Sequence, residues 1–128
     1  IPGSTVMEEF TDMTNRLRQD KGLSVLEPSE SLEDSARAKL ADMDAKEYWG
    51  HYGPNSGSFS RFIWEQDPNA LTVGENLARC FSGYKEAFVG LVNSPTHYAV
   101  LTGNFTKVGI ASEITDYGCE SIVMHFSN

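Results

Sequence analysis

A chain of 128 residues is the length of one ordinary domain, and 40% hydrophobic residues with two Trp, five Tyr and seven Phe supply enough apolar surface to fold, which excludes intrinsic disorder. Ten basic against eighteen acidic residues leave a net charge of −8, which phosphate backbones and anionic membrane surfaces repel, so nucleic acid is excluded as a partner. Apolar runs such as Ala87-Phe88-Val89 fall far short of the roughly 20 residues of a membrane span, and a soluble monomer of one domain, residues 1–128, is expected.

Taken in chain order, the start Ile1-Pro2-Gly3-Ser4 has neither a basic region nor a long apolar run, so the chain reads as cytosolic, mature or trimmed. Val6, Phe10, Met13 and Leu17 then form one stripe of an amphipathic helix over residues 5–20, stopped by Gly22. Ser31 followed by Asp34 resembles a capping box, and Leu32, Ala36, Leu40 and Met43 predict a second helix over 30–47. Gly50 to Ser60 has loop composition with His51 at its start. Phe59 to Trp64 predicts one or two helical turns, read as core in preference to the wall of a ligand site.

Leu71 to Phe81 reads as an extended segment interrupted by Gly74. Tyr84 to Ser94 has helical spacing, and Ser94 also caps a following helix that begins with Pro95 and closes at Gly103. Val108, Ile110 and Ile114, then Ile122, Met124 and Phe126, alternate on either side of Asp116-Tyr117-Gly118 as in a β-hairpin. Helices around a small antiparallel sheet follow.

His51, at the mouth of a loop, and His97, three residues after the Ser94 cap, are the candidate metal ligands or proton acceptors. A helix N-terminus disfavours imidazolium and biases His97 towards the neutral ring. The plainer alternative is a solvated loop histidine and a satisfied helix-start histidine. His125 lies opposite the Ile122, Met124 and Phe126 face and is read as structural. Glu75, in a half-buried segment, is the notable carboxylate, since buried carboxylates are paired or ligating or receive turn amides. Cys80 and Cys119 are compatible with one disulfide or with two buried thiols. Asn104-Phe105-Thr106 fits a glycosylation acceptor, which matters only in a eukaryotic secreted protein.

Asn15-Arg16, Leu32, Ala36, Ala41-Asp42-Met43, His51, Gly74-Glu75-Asn76-Leu77-Ala78, Asn93-Ser94-Pro95 with His97, and Phe105-Thr106-Lys107-Val108-Gly109-Ile110-Ala111 follow one another in an order that resembles the CAP superfamily (SCP domain: cysteine-rich secretory proteins, antigen 5, pathogenesis-related proteins), in its bacterial branch. The resemblance implies an α+β fold, a three-layer α-β-α sandwich with a small, mainly antiparallel sheet, and an extracellular or cell-surface location. It implies a central cleft in which many members place two histidines and two glutamates. These fall here on His51, His97 and Glu75, while the second glutamate falls on Ser94, a departure common in bacterial members.

Two imidazoles and a carboxylate suit a divalent metal, zinc first, with Glu75 as ligand or general base. The expected function is thus a cleft for a divalent metal or polar ligand. The alternatives are a metal-assisted hydrolase of cell-wall polymer or peptide, or a lipid, glycan or protein-binding module without catalysis. An extracellular setting also favours a Cys80–Cys119 disulfide.

Overall fold

The computed structural model describes residues 6–55, 57–114 and 118–128, the side chains from residue 8 onward. Among the described residues five helices, α1 (Val6–Asp20), α2 (Glu30–Ala45), α3 (Ser60–Gln66), α4 (Tyr84–Val92) and α5 (Pro95–Leu101), accompany six strands: β1 (Glu27–Pro28), β2 (Tyr52–Gly53), β3 (Gly57–Ser58), β4 (Val73–Arg79), β5 (Lys107–Ile114) and β6 (Glu120–Ser127). The main sheet runs β1-β5-β6-β4, with β1 parallel to β5 and the other pairs antiparallel; β2 and β3 form a separate small hairpin. No helix among the described residues is long and apolar enough to cross a membrane.

The sheet lies between two helical layers, as the α-β-α expectation requires. Ile122, Met124 and Phe126 of β6 and Val108 and Ile110 of β5 pack with Phe10, Phe88, Leu91 and Leu101 of α1, α4 and α5. On the opposite face Val123, Leu77 and Ala111 meet Ala36, Leu40 and Met43 of α2. Gly109 permits that second layer: a Cβ there would run into the Leu32–Glu33 backbone. Gly74 has an analogous role on the first face, where a Cβ would come 2.8 Å from Phe105 Cζ. It therefore serves packing and does not interrupt the strand, which is continuous from Val73 to Arg79.

Two polar side chains tie the N-terminal helix down. Asn15 accepts from Leu26 N at 2.7 Å and donates to Leu26 O at 3.0 Å, holding the chain as it enters β1. Arg18, buried, spreads its guanidinium over the carbonyls of Ser24, Leu101, Gly103 and Phe105. It thereby satisfies carbonyls that the end of α5 leaves open.

Several expected boundaries shift for identifiable reasons. Ser29, not Ser31, caps α2, its hydroxyl accepting from Leu32 N at 3.3 Å, because the turn starts directly after Pro28. The helix ends at Ala45, two residues before the expected stop. Phe62 and Ile63 of α3 are core, as anticipated, whereas Trp64 is 45% exposed. The strands of the C-terminal hairpin form as expected; of its anticipated turn, Asp116 and Tyr117 lie outside the described residues and Gly118 adopts the left-handed φ of +79° that suits glycine.

Candidate functional site

Beside β4, an edge strand of the main sheet, a cleft of about 330 Å³ is lined by His51, Phe59, Glu75, His97 and Val100 among others. The pleat of β4 divides the labour. Glu75 faces the α2 layer with Leu77, while Asn76 faces α5 and donates to His97 O at 3.1 Å. His51 arrives from the loop before β2. Its carbonyl accepts from Phe59 N at 2.8 Å and from the ammonium of buried Lys39 at 3.2 Å. His97 sits in the first turn of α5.

The three expected residues are thus brought to one cleft. Glu75, 3% exposed, places Oε1 2.8 Å from Nδ1 of His51 and Oε2 2.7 Å from Nε2 of His125. It receives these imidazoles and not the turn amides near Gly74. The His51 side chain remains 45% exposed. His97 places Nδ1 2.7 Å from the hydroxyl of Ser94, so the residue standing where the family's second glutamate is expected holds the ring from behind.

Electrostatics follow from burial. Desolvation alone would raise the Glu75 carboxyl, but hydrogen bonds from His125 and His51 and the positive charge of Lys39 outweigh it and hold its pKa below the ordinary value. Desolvation likewise dominates at His125 and pushes its pKa down against the pull of Glu75. The His97 pKa is lowered, first by burial and then by His51 across the cleft, which gives the expected neutral ring from a different cause than the helix terminus. Burial also lowers the Lys39 pKa, partly opposed by Glu75 and Asp42.

Three site residues escape the sequence pattern: His125, fully buried against Glu75; Ser35, whose hydroxyl lies 2.6 Å from His125 Nδ1; and Lys39. The signal for His125 is register, since it is the direct partner of Glu75 across β4 and β6. Cys80 and Cys119 are joined in a disulfide, Cα to Cα 5.0 Å, that links the end of β4 to the residue before β6 at the opposite end of these strands from Val73 and Ser127.

For a metal, the donor set is short. Both Glu75 oxygens are taken by imidazoles, and the described residues hold no group of three His, Cys, Asp or Glu that could hold an ion. His51 and His97 each use Nδ1 on a protein oxygen, and Nε2 has no partner among the described residues. These residues do not supply the three-protein-ligand arrangement of catalytic zinc; an ion here would have His51 and His97 as its protein donors, with water or ligand completing the shell.

Residues 11–126 match the family described as the Cysteine-rich secretory protein family, CAP. Uncharacterized protein YkwD of Bacillus subtilis (strain 168) is 34% identical over 108 residues, covering 84% of this chain and 42% of that protein. Uncharacterized membrane protein YlbC of the same organism is 28% identical over 108 residues, covering 84% and 31%. The chain thus spans less than half the length of these two relatives. Among solved structures, an outer surface protein from Borrelia burgdorferi has a TM-score of 0.85 at 21% identity, covering 96% of this chain and 92% of that one. An extracellular protein containing an SCP domain, from Bacillus anthracis str. Ames, also has a TM-score of 0.85, at 24% identity, covering 96% and 40%. These structural likenesses are ones of fold.

Proposed function

The chain belongs to the cysteine-rich secretory protein (CAP) family, and on that premise we propose that it is an extracellular or cell-surface CAP domain that binds a polar ligand in the cleft between His51 and His97. The observation that carries this reading is the matched anchoring of the two rings: Nδ1 of His51 on Glu75, Nδ1 of His97 on Ser94, and Nε2 of each left for a ligand. Phe59, Val73 and Val100 supply the apolar wall against which the rest of a ligand packs. The disulfide supports the extracellular part of the proposal, because such bonds persist outside reducing compartments. The relatives named as outer-surface and extracellular proteins support it too.

A divalent metal, zinc first, is the second reading. What favours it is the His51–Glu75 pair, since a metal-binding imidazole commonly donates its other ring N–H to a carboxylate. His51 and His97 would hold the ion, which would supply Lewis acidity for hydrolysis of a cell-wall polymer or peptide. This chain's own part is to hold each of the two rings by Nδ1 and keep Glu75 ionised behind one of them. A lipid, glycan or protein ligand that ignored the imidazoles would use the apolar wall alone.

Calorimetric zinc titration of wild type and of a His51→Ala, His97→Ala variant separates these readings. One-to-one binding abolished in the variant supports the metal. Without zinc binding, ring ¹⁵N shifts of His51 and His97 on titration with cell-wall fragments or peptides support the metal-free polar site. Binding of lipid, glycan or protein that is unchanged in the variant overturns the polar cleft in favour of the apolar wall.

A further inference from the structure

His125 is a fully buried imidazole in a strand whose neighbouring positions are apolar, and burying such a group is costly unless both nitrogens are bonded. Both are: Nε2 to Glu75 Oε2 at 2.7 Å and Nδ1 to Ser35 Oγ at 2.6 Å. The Phe59 ring lies 6.0 Å from the centroids of both His125 and His51, which keeps the space around this pair of imidazoles filled.

Counting protons orders the chain of contacts. An ionised Glu75 only accepts, so Nε2 of His125 and Nδ1 of His51 both donate to it. A neutral His125 then has Nδ1 as acceptor, and the Ser35 hydroxyl must supply the proton. That hydroxyl has a second acceptor within reach, Leu32 O at 2.9 Å, but giving its only proton there would require His125 to be doubly protonated, which complete burial opposes. The order is Ser35 O–H to His125 Nδ1, His125 Nε2–H to Glu75 Oε2, and His51 Nδ1–H to Glu75 Oε1.

We propose that His125, set by Ser35, is the positioning residue of the cleft: by occupying Oε2 it aims Oε1 of Glu75 at His51 and fixes His51 in the tautomer whose Nε2 carries no proton and faces the cleft. The inference rests on the reading that Nε2 of His51 is the ligand-facing atom. It goes beyond that reading in assigning control of the atom to a residue that touches neither ligand nor cleft. His51 is thereby held at two points, its backbone carbonyl by Lys39 and its ring by the Glu75–His125 pair.

The test is made on free, metal-free protein by long-range ¹H–¹⁵N spectra of the histidine rings. Wild type is expected to show His51 protonated at Nδ1. In His125→Leu, with the fold confirmed by the backbone spectrum, the Nε2–H form of His51 should become the majority species, and His125→Gln, which retains an N–H donor, should restore the wild-type form. Should His125→Leu not fold, Ser35→Ala, which removes only the hydroxyl, should move His51 in the same direction by a smaller amount. A His51 tautomer unmoved in the folded variant overturns the proposal. Zinc serves as a separate probe: where wild type binds it, His125→Leu should weaken binding by about 10- to 100-fold, as loss of outer-shell partners does. Where wild type binds no zinc but the tautomer moves, the positioning role stands and only the metal reading fails.

Discussion

The two faces of the main sheet are packed by different rules. Towards α1, α4 and α5 the contacts are made mostly by aromatic and aliphatic side chains, with Phe10 edge-on to Phe88 and Tyr84 and Phe105 against Phe126, while buried Arg18 and Asn76 bond to backbone carbonyls. Towards α2 the apolar set is smaller, and the same layer buries Ser35, Lys39, Glu75 and His125. Stability on the first face comes from area removed from water, roughly 25 cal/mol per Å². On the second face, polar groups whose desolvation is unfavourable stay buried only because each finds partners. One face holds the fold, and the other gives up part of its apolar packing for an oriented imidazole.

Cutting into the first face gives the largest effect that separates them. Phe126→Ala should cost about 3 to 5 kcal/mol in urea unfolding while the folded fraction keeps the wild-type His51 ring signals. Loss of those signals at full folding would show the faces to be coupled. Acid sharpens the contrast at intermediate size. His125 titrates in the folded protein below its ordinary 6.5, so the unfolded chain takes up the proton first and stability falls as pH drops below that value. Glu75, held below 4.5, adds a second loss as pH falls through its folded value. Each proton contributes at most about 1.4 kcal/mol per pH unit. His125→Gln should remove the first part of this dependence and leave the smaller one from His97; an unchanged profile between pH 7 and 5 would rule out that assignment. The smallest effect is expected outside both layers, where Arg37→Ala breaks exposed pairs with Glu33 and Asp34 on the outer side of α2 and should change stability by less than about 0.5 kcal/mol.

How much of this is legible in the sequence differs between the faces for the same reason. The stripe of Phe10, Met13 and Leu17 and the alternation of Ile122, Met124 and Phe126 announce the first face, because apolar periodicity marks the side that meets a core. The same alternation puts His125 on the correct side of the strand without marking it as part of the site. Period two assigns it to the other side of the strand but carries no information on whether a helix covers that side, and here α2 does. Lys39 and Ser35 hide likewise, as polar residues on a helix whose apolar stripe is narrow. His51, His97 and Glu75 were legible as a set only through the family's spacing, since residues so far apart meet through pairings that no local pattern shows. The parallel pairing of the two-residue β1 and the small β2–β3 hairpin left no signal, being too short for any periodicity.

The strand order also dictates when the fold can appear. β6, the last of these strands to be synthesised, lies between β5 and β4, and Arg18 in α1 waits for carbonyls at 101, 103 and 105. Neither β5 nor β4 has its shared neighbour in the sheet until residue 127 has been made, whereas the carbonyls that seat Arg18 are complete at residue 105. A nascent chain of this topology cannot complete its sheet before its last strand is present, however early its helices form.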